Sequence, residues 1–94
     1  MQQGQYPNAF YRVSVKAVIL NDKNEVFTVH EGRDWTLPGG GLDHGEAPLE
    51  ALKRELYEEA FIISDFKAEL IGTESCDFDS KDALALWMIY RLHI

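Results

Sequence analysis

Five glutamates, Glu46, Glu50, Glu55, Glu58 and Glu59, stand in the run GGLDHGEAPLEALKRELYEEAFI from Gly40 to Ile62. Glu55, Glu58 and Glu59 are spaced three and four residues apart, which places them along one side of a helix. Like charges at that spacing destabilise a helix by a few tenths of a kcal/mol per pair, and negative charge near its C-terminal end opposes the helix dipole. A hard divalent cation would compensate both effects. Mg²⁺ in particular takes one or two carboxylates together with waters and substrate phosphates. A site for a divalent metal ion is therefore the chemistry that such a cluster supports.

The elements around this run must hold it in place. Pro48 suits the first turn of a helix, where its missing amide hydrogen costs nothing, and the pattern carries the helix to about Ala60. At about 100° per residue, Leu49, Leu52, Leu56 and Ala60 fall within roughly 80° of one another and form the stripe expected to bury against a sheet, with Glu59 near its boundary. Ala47 is a poor N-cap, so the helix start is expected to lack one side-chain hydrogen bond. Before the helix, Gly39, Gly40 and Gly41 permit close backbone approach to other groups, and a tight turn is the simplest reading of them. No Lys-Ser or Lys-Thr follows, so this is not the phosphate-binding loop of NTPases.

Tyr11 to Leu20 alternates apolar residues at Val13, Val15, Ala17 and Ile19, as a half-buried strand requires. The polar cluster from Asn21 to Glu25 then supplies a turn, and Val26 to His30 reads as the return strand of a hairpin. Trp35-Thr36-Leu37 is a brief strand that Pro38 ends or confines to an edge. Phe66 to Thr73 and Leu84 to Ile94 read as two further strands, joined by a polar hairpin loop from Asp77 to Asp82. Strand, hairpin, strand, helix, strand, strand is the order of an α+β or mixed α/β domain.

Gly40, five residues, Glu46, seven residues and Arg54-Glu55-Leu56-Tyr57-Glu58-Glu59, preceded by Leu37-Pro38-Gly39-Gly40, resembles the Nudix box. That resemblance implies a Nudix-like α/β/α sandwich with a mixed sheet and a hydrolase that cleaves a nucleoside diphosphate linked to another moiety. It implies that Glu58 and Glu59 bind the catalytic Mg²⁺, with Mn²⁺ as a substitute, joined by the backbone carbonyl of Gly39. Glu55 is implied as a further ligand or as the base acting on water, and Arg54 as the residue that orients the carboxylates. Glu46 resembles a supporting acid of the outer shell and, with Gly40 and Gly41, is assigned to the substrate side of the site. Phe61 departs from the pattern, which has glycine there to end the helix in a left-handed turn. A bulky residue is strained in that conformation, so the helix is expected to continue or the chain to leave by another route.

Ninety-four residues suffice for one domain with one small core. Relatives usually continue into another helix after the last strand, so the chain reads as C-terminally incomplete, lacking that helix. The uncovered apolar surface this would leave predicts a homodimer or higher oligomer. Sixteen acidic against nine basic residues give a net charge of -7, which opposes sequence-independent binding to a nucleic acid polymer. No secretory signal or bilayer-spanning run is visible, and the single Cys76 forms no internal disulfide, which together suggest a cytoplasmic protein without a membrane partner. His30, His44 and His93 show no metal-ligand spacing and read as surface or strand residues, and Trp35 is expected to pack in the core.

No proline follows Pro48, and no tyrosine lies between Glu58 and Ile89. The family subgroups that act on ADP-ribose or on diadenosine polyphosphates are therefore unsupported. The main rival to an enzyme is a catalytically impaired Nudix-fold module that binds a nucleotide or a protein. A purely structural acidic domain explains neither the glycines nor the spacing.

Overall fold

Alternating burial along the first strand sets the architecture. The computed structural model describes residues 10–77 and 83–93. Its elements are β1 (Phe10–Val18), β2 (Val29–Glu31), β3 (Asp34–Thr36), β4 (Gly39–Gly41), α1 (Pro48–Ala60), β5 (Lys67–Asp77) and β6 (Ala83–His93). Val15 and Ala17 are fully buried and pack with Ala51, Leu52 and Leu56 of α1 and with Tyr90 and Leu92 of β6. Because side chains alternate across a strand, one face of the sheet carries the helix and the other carries Arg12, Ser14 and Lys16.

The main sheet is mixed, in the order β4-β1-β6-β5. β1 lies between an antiparallel edge, β4, and a parallel partner, β6, with Lys16 opposite Gly39 on one side and Ile89 on the other. β5 runs antiparallel to β6, with a bulge between Leu70 and Gly72. The hairpin loop read at Asp77 to Asp82 lies outside the described residues from 78 on. No helix among the described residues is long and apolar enough to cross a membrane.

Several expectations require correction. The polar turn forms, with Asn21 Oδ1 accepting hydrogen bonds from Lys23 N and Glu25 N, both 2.9 Å, but the return strand does not run from Val26 to His30. Only the Leu20–Val26 bridge and the bond from Phe27 N to Ile19 O connect it to the first strand. The edge of β1 that a return strand needs is occupied from Val13 to Ala17 by Pro38 through Leu42. β2 pairs instead with β3. The three glycines accordingly form an edge strand, not a turn. Trp35 is 68% exposed, because among the described residues no second layer covers the two-stranded β2–β3 ribbon, and its ring meets His30 at 4.8 Å. His30, His44 and His93 are all exposed.

The helix occupies the expected residues with a shifted buried arc. Ala51, Leu52 and Leu56 are completely buried, whereas Leu49 is 48% exposed. The arc is centred between Ala51 and Leu56, about 90° from Leu49 on the helical wheel. At its start Ala47 makes no side-chain cap, and only the reverse bond forms, from Ala47 N to Glu50 Oε1 at 3.2 Å.

At its end Phe61 adopts the left-handed conformation itself, with φ 54° and ψ 30°. The helix neither continues nor leaves by another route. Phe61 N and Ile62 N donate to the carbonyls of Tyr57 and Leu56, and Ile62 packs against the core. These bonds and that contact hold a bulky residue in a conformation costing about 1–2 kcal/mol. Phe61 is 78% exposed and contributes only an edge contact to Tyr57. Phe61→Gly is expected to stabilise the domain by about 1 kcal/mol, measured by urea denaturation. A loss of stability would show that the contact with Tyr57 outweighs the strain.

Candidate active site

The β4 strand brings the glycines against the helix that carries the glutamates. Gly39 has φ 142°, and a Cβ there would collide with the carbonyl of Val15. A Cβ on Gly40 would stand 2.6 Å from the Glu55 carboxylate. Glycine therefore lets β4 pair with β1 while the helix carboxylates press against its edge.

Arg54 organises the acidic cluster. Its Nε and Nη2 donate to the two oxygens of Glu46 at 2.8 and 2.9 Å, a bidentate fork, while Nη2 also donates to Gly41 O at 3.1 Å. Nη1 donates to Glu55 Oε1 at 2.9 Å and, at 3.4 Å, to both oxygens of Glu58. One planar cation thus joins the loop before the helix, the edge strand and two helix carboxylates. The Glu46 hydrogen bonds hold the guanidinium charge even more firmly than usual.

Glu46 also accepts from Asp43 N at 2.9 Å. The hydrogen bond from Arg54, followed by that amide, lowers its pKa from 4.5 to about 2. Its two oxygens are committed to Arg54 and the loop, so the structure places Glu46 behind the cluster. A carboxylate with a depressed folded pKa contributes stability above its unfolded value, and that contribution disappears as pH falls through the folded value. The contribution of Glu46 is expected to be complete above about pH 5 and to vanish near pH 2. A carboxyl-detected NMR titration should find its midpoint near 2; a midpoint near 4.5 would show that the fork does not form in solution.

Glu59 differs. Its Oε1 accepts a 2.9 Å hydrogen bond from Gly39 N, tying the last helical turn to the sheet edge. Burial pushes its pKa up, opposed by that hydrogen bond; Glu55 adds to the rise, Lys16 opposes it and Glu31 adds to it. Glu58 is exposed and Glu55 is half-buried. Glu55 and Glu58 therefore stand on Arg54 and Glu59 on Gly39, all at one edge of the sheet. Sequence patterning did not point to Lys16, which faces the same edge strand from the far side of the sheet.

Among the described residues, no three acidic, histidine or cysteine side chains converge tightly enough to hold a metal ion as they stand. The donor chemistry nevertheless fits a hard cation, because every available ligand is an oxygen.

A mixed sheet, one helix packed on it and an Arg-ordered carboxylate cluster at its glycine edge define an α+β domain with an acidic site at the sheet edge. Residues 10–91 match the NUDIX domain, and the chain belongs to that family. It is 47% identical over 51 residues, covering 52% of this chain and 33% of the relative, to the RNA pyrophosphohydrolase of Francisella tularensis subsp. mediasiatica (strain FSC147). Its structure resembles that of the MutT NUDIX hydrolase from Burkholderia pseudomallei, with a TM-score of 0.78 and 26% identity over 90% of this chain and 68% of that one. The MutT protein from Methanosarcina mazei Go1 gives a TM-score of 0.70 and 25% identity over 89% and 65%. The chain thus spans a third of the Francisella relative and about two thirds of these two structures. Enzymes of the family generally use a divalent metal ion.

Proposed function

We propose that the chain is the catalytic part of a Mg²⁺-dependent hydrolase that cleaves the pyrophosphate bond of a nucleoside diphosphate linked to another moiety. The observation that carries this reading is the Arg54 fork, which holds Glu46, Glu55 and Glu58 together while Gly39 holds Glu59. Bound Mg²⁺ would lower the pKa of water and offset charge on the phosphoryl oxygens. Glu58, Glu59 and the Gly39 carbonyl are the residues that would hold it. Glu55, fixed by Arg54 beside Gly40, would be a further ligand or accept the proton of the attacking water.

A phosphate-release screen tests this reading. The panel comprises nucleotide sugars, dinucleotides, nucleoside triphosphates and a 5′-triphosphorylated RNA, to which the name of the Francisella relative points. Turnover that requires Mg²⁺ is expected for at least one member. Nucleotide binding without any turnover would favour the binding module.

Self-association belongs to the same proposal. β5 forms an outer edge of the sheet, and Leu70 and Ile71 on it are about half exposed, an arrangement open to pairing with a second copy. A dimer or larger species is expected in sedimentation at micromolar concentration, and a monomer would contradict it.

A further inference from the structure

Lys16 is 6% exposed and is the one charged residue among the described buried set. Burying an ammonium is costly unless its donors are satisfied. Yet the only hydrogen bond it makes among the described residues is a 3.4 Å contact to Leu37 O, and it forms no ion pair there. Its ammonium rests instead over the ring of Trp87, 4.9 Å from the centroid. Packing alone does not explain a cation in this position, since a methionine would fill the same space without the desolvation cost.

The position explains it. Lys16 is the register partner of Gly39, whose amide is bound by Glu59. Lys16 lies on the sheet face opposite α1, whereas the carboxylates lie on the helix side, and only the glycine edge strand separates them. A diphosphate approaching that edge meets a strongly acidic surface. Arg54 cannot attract it, because its donors are spent on Glu46, Glu55, Glu58 and Gly41 O. Arg12, on the same face as Lys16, is engaged by Leu42 O through Nη1. Arg91 has a buried Nε without a partner among the described residues but stands on β6, away from this edge, so among the described residues Lys16 is the cation that combines burial, proximity to the edge and unspent donors.

We propose that Lys16 is a substrate-binding residue, donating its ammonium hydrogens to a non-bridging oxygen of the substrate's diphosphate, with Trp87 holding the cation until the phosphate arrives. This rests on the proposed reaction for the identity of the ligand, though not for the existence of the phosphate site. A charge-assisted hydrogen bond from a buried ammonium is strong enough to change affinity by about tenfold or more.

The test uses the Trp35→Phe protein, in which Trp87 is the only tryptophan. Its emission is followed during titration with α,β-methylene-ADP and with adenosine, in Mg²⁺ and in EDTA. Movement of the ammonium off the indole is expected to change the emission with the diphosphate analogue and not with adenosine. Lys16→Met is expected to weaken the analogue by about tenfold or more, leave adenosine unchanged and hold or raise the melting temperature. Lys16→Arg is expected to retain most of the affinity. Unaltered analogue binding by folded Lys16→Met would overturn the proposal, as would loss of analogue binding in a folded Lys16→Arg equal to that in Lys16→Met. Lys16-dependent binding without hydrolysis of any panel substrate would sustain the phosphate site and refute the reaction. Normal turnover with unchanged KM in Lys16→Met would do the reverse.

Discussion

Glu58→Gln is expected to lower Mg²⁺-dependent turnover by about two to four orders of magnitude while the melting temperature stays close to that of the parent. The substitution keeps the size of the side chain and removes only its charge. Glu58 is well exposed, and its contacts with Arg54 are long, at 3.4 Å. Little of the fold therefore depends on it, whereas an oxygen ligand for a hard cation loses most of its value when it becomes a neutral amide. Steady-state kinetics across a Mg²⁺ series, paired with thermal melts, separates these effects. Near-normal turnover in a folded Glu58→Gln protein would remove this glutamate from the metal site.

Arg54→Lys is expected to reduce activity by about ten- to a hundredfold even though the charge is conserved. The ammonium of lysine cannot reproduce a fork that reaches both oxygens of Glu46 while also serving Glu55 and Gly41 O. At least one carboxylate would lose its position. Glu46 reports this directly, because its depressed pKa depends first on Arg54 and should move back toward 4.5 in the variant. If kcat, KM and the Glu46 titration all remained at parental values, Arg54 would be a surface cation without an organising role.

The helix and the placement of its carboxylates were readable in the sequence for a physical reason. Pro48, the Leu52–Leu56 pair and the glutamate spacing act within a few turns of one element, so local rules suffice to place them. Failures occurred where a distant segment decided the outcome. The return strand after Asn24 was displaced because Pro38 to Leu42, more than ten residues later, takes the edge of β1. Trp35 looks like a core residue by type, but its ribbon has no covering layer among the described residues. Phe61 breaks the expected glycine rule and still ends the helix in the left-handed turn, since two backbone hydrogen bonds and the docking of Ile62 outweigh the strain. Lys16 was invisible as a functional candidate because its significance comes from Gly39 and Trp87, each of which comes beside it only after the sheet has formed.

The parallel pairing of β1 with β6 also constrains how the domain is assembled. Phe10 meets Ala83 and Val18 meets Arg91, so the central strand finds its longest partner only after residues 83–93 are available. Until then β1 has three residues of β4 beside it, and the loop-closure entropy of a nearly chain-length separation must be met before the ladder can compensate it. The carboxylate cluster sits against β4, on the other side of β1 from β6. The contacts that order the acidic cluster all fall between Gly39 and Glu59, so the cluster draws on neighbouring segments while the sheet it leans on is completed only by a distant one.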